Sequence, residues 1–424
     1  MNSRRARRSR RVSHKGGSAG FTLVELMVAL TGGLFISLAV FALARDSGRF
    51  YQREARMANA TISGLIGFER LRADLGRAGF LASPNISKDP RLCVPANAEL
   101  PDGLRNLDSI RVSTPAQAYP ALTANGRTPP VITLAGAYTS PDVYGAKVVP
   151  DSPKTIFELS TKEGAGALRR LGNSLMPDND TMMAAFPALR ALRIVQNGKH
   201  YYGQILSAAG GPQPTVTISN TKPSIQFRSG SLIGCGLSDV VGSGASAPMI
   251  NVVNFIQYAI RPPQTPTAVA GYKNLFDNSA DAPGEADRTE LTRVELDING
   301  KVLDQTEEIV AEYAVDLNLQ LTAVTSITGC CDPTLGLITP ADPLFPKFTG
   351  PVDLTTNTPD RIRSVRVRLG VRSREADRTA TVANPADQGL FRFNIGSGQT
   401  ETFARVRTFQ ADVALHNQTD ILWP

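Results

Sequence analysis

Between Phe21 and Ala44 the chain carries a single ionisable side chain, Glu25, in 24 residues, and a run of that composition leaves few folds open. As a helix rising 1.5 Å per residue it reaches about 36 Å, enough to cross a hydrocarbon core of roughly 30 Å. The preceding segment, 1–20, holds Arg4, Arg5, Arg7, Arg8, Arg10, Arg11 and Lys15 and no acid. That balance keeps such a segment on the cytoplasmic side of an inner membrane. The expectation is a single membrane pass, with the chain beyond it extracytoplasmic. A secretory signal has its small-residue cleavage site after the apolar region. Here Gly16, Gly17, Ser18, Ala19 and Gly20 come before it, so a cut at Gly20 leaves the helix attached. A carboxylate in such a span calls for a partner, and the natural one for Glu25 is a neighbouring subunit's new amino terminus.

The stretch GFTLVELMVAL resembles the signature of the type IV prepilin family: a short basic leader, then Gly, Phe, Thr, Leu, a hydrophobic residue and Glu, opening an apolar helix. The resemblance implies that a prepilin peptidase cuts between Gly20 and Phe21 and methylates the Phe21 amine. It also implies that Glu25 docks the subunit into a filament. Further along, FERLRADLGRAGF, VAEYAVDLNLQL, RIRSVRVRLGVRS and FARVRTFQADVALHN are similar, in that order, to blocks of PilW-type minor pilins. This implies a pilin-like α+β fold and a low-abundance subunit that joins other minor pilins and the major pilin. Such a subunit works in a pilus-tip complex that primes assembly and presents a PilY-type adhesin. The alternatives are a minor pseudopilin of a type II secretion system, and a membrane-anchored extracytoplasmic binding protein or enzyme outside any filament.

Cleavage would also change the charge. Of 45 Lys plus Arg against 38 Asp plus Glu, seven basic residues lie in the leader, which leaves 38 against 38. The calculated pI of 9.3 therefore gives no support to nucleic-acid binding. No cofactor is expected either. Beyond the leader the chain has no GxSxG and no HExxH, and its Gly-rich pieces lack the lysine and hydroxyl spacing of a phosphate loop. His200 and His416 read as surface residues.

Four cysteines, Cys93, Cys235, Cys330 and Cys331, suit disulfides in an oxidising compartment. Adjacent cysteines sit too close to bond readily to each other, so the expected pairing joins Cys330 and Cys331 each to one of Cys93 and Cys235. No metal site is expected from these cysteines. Asp277, Asn278, Asp281, Glu285 and Asp287 could offer oxygen ligands to Ca²⁺, although a solvated loop accounts for them better. The arginines of RIRSVRVRLGVRS read as one exposed sheet face.

The expected layout is a leader over 1–20, a transmembrane or filament-core helix over 21–44, its amphipathic continuation over 45–78, and a β-rich domain over 79–424, in one elaborated body or two lobes. In the continuation, Ile62, Leu65, Phe68, Leu71, Leu75 and Ala78 make an apolar stripe. Gly64, Gly67 and Gly76 weaken that helix, so packing must hold it, and Gly79 is a stop. Strands are predicted at 109–113, 191–196 and 199–206 across Asn197-Gly198, then 215–218, 224–228 and 250–260. More follow at 291–298 and 301–303 across Asn299-Gly300, at 313–321 after a short helix from Thr306, and around Val365 to Val371 and Phe409 to Leu415. Segments 115–154, 261–288 and 332–359 read as long loops.

Overall fold

Helix α1, Leu23–Gly76, is continuous for 54 residues. The computed structural model describes residues 22–94, 99–151, 154–161, 165–172, 176–220, 223, 225, 227, 235–238, 246–262, 288–328, 332–338, 359–374, 392–395 and 403–418. The chain divides into two units, Met1–Ala55 and Arg56–Pro424. The described part of the first is helix from Leu23 onward.

In the second unit the rest of α1 buries Ala60, Phe68, Leu71 and Leu75, and Ala78 in the turn just beyond it is buried as well. The expected stripe is corrected at its start, because Ile62 and Leu65 are 58% and 48% exposed. Gly64 and Gly67 take the inward positions instead. A Cβ at Gly67 would lie 2.4 Å from the Val310 carbonyl oxygen, and one at Gly64 would lie 2.6 Å from the Phe409 ring. The helix approaches its sheet most closely where it has no side chain. It ends before Gly79, whose φ of +75° lets its N–H turn to the Ala135 carbonyl at 2.8 Å.

The remaining elements are α2 (Asp102–Arg105), β1 (Ile110–Ser113), α3 (Pro120–Ala124), β2 (Val131–Gly136), β3 (Tyr144–Asp151), β4 (Lys154–Leu159), α4 (Ala165–Gly172) and α5 (Asn179–Ala185). They continue with β5 (Ala191–Gln196), β6 (Lys199–Ala209), β7 (Thr215–Ser219), β8 (Met249–Arg261), β9 (Glu290–Leu296) and β10 (Glu308–Ala311). The last are β11 (Ala314–Thr328), β12 (Asp332–Ile338), β13 (Ile362–Arg372), β14 (Arg392–Asn394) and β15 (Phe403–Ala414). The fold is α+β, with strands paired antiparallel.

Strand β8 organises the first sheet. Its first half pairs with β3 and β5, closing a ring in the order β8, β3, β4, β7, β6, β5 and back to β8. Its second half pairs with β2 and β9 and so belongs to an open sheet ending in β1 and β10. Phe157, Ile194, Tyr201, Ile205, Val216 and Ile250 form the core of the ring with Leu168 of α4 and Met182 of α5. A second core joins α1, the open sheet and a five-stranded sheet ordered β12, β11, β13, β15, β14.

The hairpin of β5 and β6 turns at Asn197 and Gly198 with φ of 52° and 74°, the left-handed pair a type I′ turn requires. Two other expectations change. After Asn299-Gly300 only a Leu296 to Val302 bridge forms. The helix expected from Thr306 is instead β10, because the Thr306 hydroxyl accepts from the Glu295 N–H at 3.1 Å and draws the chain back along β9. The segments 115–154 and 332–359, expected as loops, contain α3, β2, β3 and β12. Their short apolar runs sit between prolines and glycines and gain order only from distant partners. The predicted strand at 224–228 and the loop at 261–288 lie mostly outside the described residues.

Asp74 fixes α1 to the open sheet. Only 4% exposed, it accepts from the Tyr258 hydroxyl at 2.7 Å and from Arg293 Nε at 2.8 Å. Burial and the Asp74 carboxylate together push the Tyr258 phenol well above its ordinary range.

Candidate functional site

From Leu23 to Gly48, α1 is long and apolar enough to cross a membrane. It is exposed on every side, Phe35 at 72% and Leu43 at 74%. A helix apolar all round needs lipid or other helices about it rather than water. The Thr31 hydroxyl donates to the carbonyls of Met27 and Val28, so it asks nothing of an apolar surrounding.

The start of the helix is closed by a capping box. Glu25 Oε2 accepts from the Thr22 N–H at 3.1 Å and from the Thr22 hydroxyl at 2.9 Å, while Thr22 Oγ1 accepts from the Glu25 N–H at 3.3 Å. The first N–H groups of a helix have no partner within it, and the partial positive charge there favours a carboxylate. Glu25 therefore has a partner inside its own chain as well as the intersubunit one expected for it. Thr22 is the residue missed from the sequence, although Thr-x-x-Glu before an apolar run was its signal. Gly20 and Phe21 lie outside the described residues.

The cysteine pairing is a correction. Cys93 bonds to Cys235, with Cα atoms 5.3 Å apart, and Cys330 and Cys331 lie outside the described residues. The segment carrying Cys93 is laid beside β6, the Cys93 N–H donating to the His200 carbonyl at 2.9 Å. Tyr201, the next residue on β6, exchanges hydrogen bonds between its hydroxyl and the backbone of Gly236. Sequence distance hid this meeting. The acidic group Asp277, Asn278, Asp281, Glu285 and Asp287 lies outside the described residues.

His416 is exposed, but His200 is buried, contrary to expectation. Its Nδ1 lies 3.1 Å from Asp89 Oδ2 and its Nε2 lies 3.1 Å from Arg193 Nη2. A guanidinium only donates, so Nε2 accepts and the imidazole proton sits on Nδ1, facing Asp89. Burial pushes the Asp89 carboxyl up, yet hydrogen bonds from His200, Ser83 and the Arg91 N–H outweigh it and hold it below its ordinary value. Ser83 donates to Asp89 and not to the histidine, so the cluster lacks the serine–histidine contact of an activated nucleophile and works as a lock on the segment after α1.

The β13 arginines also depart from one exposed face. Arg366 is exposed and paired with Asp412 at 2.7 Å. Arg368 is half-buried on Asp316 at 2.8 Å, beside Arg127. Arg372 is fully buried, 5.1 Å from the Tyr313 ring centre and 5.8 Å from that of Phe393. Inner ends of these strands are covered, so period-two spacing gave the strand but not its exposure.

Compared with known proteins, the chain matches no family model, no curated protein and no solved structure.

Proposed function

We propose that this chain is a minor pilin of a type IV pilus, of the PilW type. The observation that carries the reading is the capped helix. An apolar segment exposed on all sides starts with Thr22 and Glu25 directly after Gly20-Phe21 and runs on into a helix packed on a β domain. A prepilin peptidase would release the basic leader at Gly20 and methylate Phe21. The subunit would then leave the membrane by exchanging lipid for the helices of other minor pilins and the major pilin. Glu25 would trade its cap for the Phe21 amine of a neighbour. The β domain would make lateral contacts at the tip and help present a PilY-type adhesin. The Cys93–Cys235 disulfide supports a domain that matures in an oxidising compartment.

The test is mass spectrometry of the chain recovered from its own host, alone and in sheared filaments. The reading expects a mature chain beginning with methylated Phe21 and present in the filaments. An uncut leader, or absence from every filament preparation, would overturn it in favour of a membrane-anchored protein. Glu25→Ala should abolish incorporation and lower surface piliation while leaving cleavage intact. Normal incorporation in that variant would remove the carboxylate from the mechanism.

A further inference from the structure

The helix outlasts its apolar span. It passes Gly48 unbroken, and Phe50 and Tyr51 just beyond are 64% and 76% exposed. Arg45 is exposed too, and in the sequence arginine recurs at 45, 49 and 53, one per turn of helix. The stretch Leu23 to Tyr51 is 29 residues, about 43 Å of helix. A bilayer measures roughly 40–45 Å with both headgroup layers, against roughly 30 Å for hydrocarbon alone. Tyrosine and tryptophan collect where hydrocarbon meets headgroups, because each has an apolar ring and a polar O–H or N–H. Arginine lays its methylenes along the apolar edge and puts its charge among phosphates.

We infer that Arg45, Phe50 and Tyr51 form an interfacial belt seated among lipid headgroups on the face of the membrane opposite the leader, with the Thr22–Glu25 cap in the other headgroup layer. Helix length then fixes depth at both ends. Glu25 lies three residues into the helix, about 5 Å, at the edge of the headgroups and not within the hydrocarbon. There its own cap and nearby water satisfy the carboxylate, so the subunit can wait in the membrane without a partner. The inference rests on the membrane-spanning reading of α1 and is independent of the filament reading.

The experiment uses depth-dependent quenching in the full chain. Trp423 is its sole tryptophan. With Trp423→Phe as background, Tyr51→Trp and Phe35→Trp are each reconstituted in vesicles of phosphatidylcholine and phosphatidylglycerol. The phosphatidylcholine is brominated either near the headgroup or near the end of the acyl chain. A belt predicts that Tyr51→Trp is quenched about twofold more by the shallow bromines than by the deep ones, and Phe35→Trp the reverse. If Phe35→Trp is quenched by deep bromines and Tyr51→Trp by neither, the aromatic pair faces water or protein and the belt is refuted. Deep quenching of Tyr51→Trp would also refute it, by placing the belt inside the hydrocarbon. If neither variant is quenched, the membrane-spanning reading itself fails.

Discussion

Asp74 and Asp108 are both buried carboxylates and should respond to substitution in opposite ways. Asp74 carries two close donors from different elements, Tyr258 and Arg293. Removing it takes the nearest carboxylate from the buried Arg293 guanidinium and leaves it the half-exposed Glu308 at 3.8 Å, so Asp74→Ala should cost about 3 kcal/mol. Tyr258→Phe, which removes one donor, should cost about 1 kcal/mol. Urea unfolding of the detergent-solubilised chain measures both, and equal midpoints for Asp74→Ala and wild type would refute the account. At Asp108, burial pushes the carboxyl up to about 6 against the pull of Arg111, and Asp360 adds to the push. Its unfolded value is near 3.9, so the folded protein holds the proton more tightly. The contribution to stability is then full below about pH 4 and is lost as pH rises through about 6. Asp108→Asn, which mimics the protonated form, should be more stable than wild type by on the order of 2 kcal/mol near pH 7.5. The gap should close by about pH 4. Unfolding midpoints at the two pH values check the sign.

Among the elements, α1 shows how one sequence signal carries two meanings. Its glycines lower helix propensity, and two of them are also the contact surface. Gly67→Ala would press a methyl into the Val310 carbonyl and the Ala311 side chain, and should cost about 1–3 kcal/mol despite a propensity gain of about 1 kcal/mol. Gly76→Ala meets nothing within 4 Å and should be neutral or stabilising by up to about 1 kcal/mol. Thermal melts of the pair separate contact from propensity, and similar gains in both would mean propensity alone matters. The β5–β6 hairpin was legible because Asn197-Gly198 encodes its turn locally. Strand β3 was not, since its first residues, Tyr144 and Gly145, pair with β8 more than a hundred positions later.

For the whole molecule, the Cys93–Cys235 link closes a separation of 142 residues that contains β1 to β7. A cross-link of that span restricts the unfolded chain strongly, so the Cys93→Ser/Cys235→Ser variant should lose about 3–5 kcal/mol. Replacing Cys330 and Cys331 by serine should leave that bond in place. Non-reducing peptide maps and unfolding midpoints test both statements. Taken by itself, the sequence determined the apolar helix, the strong C-terminal strands and the α+β class. These depend on composition, on helical or alternating period, and on turn residues a few positions apart. Tertiary structure alone decided which cysteines meet, that His200 is buried against Asp89 and Arg193, and that Arg372 lies inside while Arg366 lies outside. It also decided that β8 serves both a closed ring and an open sheet. Each of these depends on which distant strand lies alongside, and an alternating pattern fixes the face of a strand without naming its neighbour.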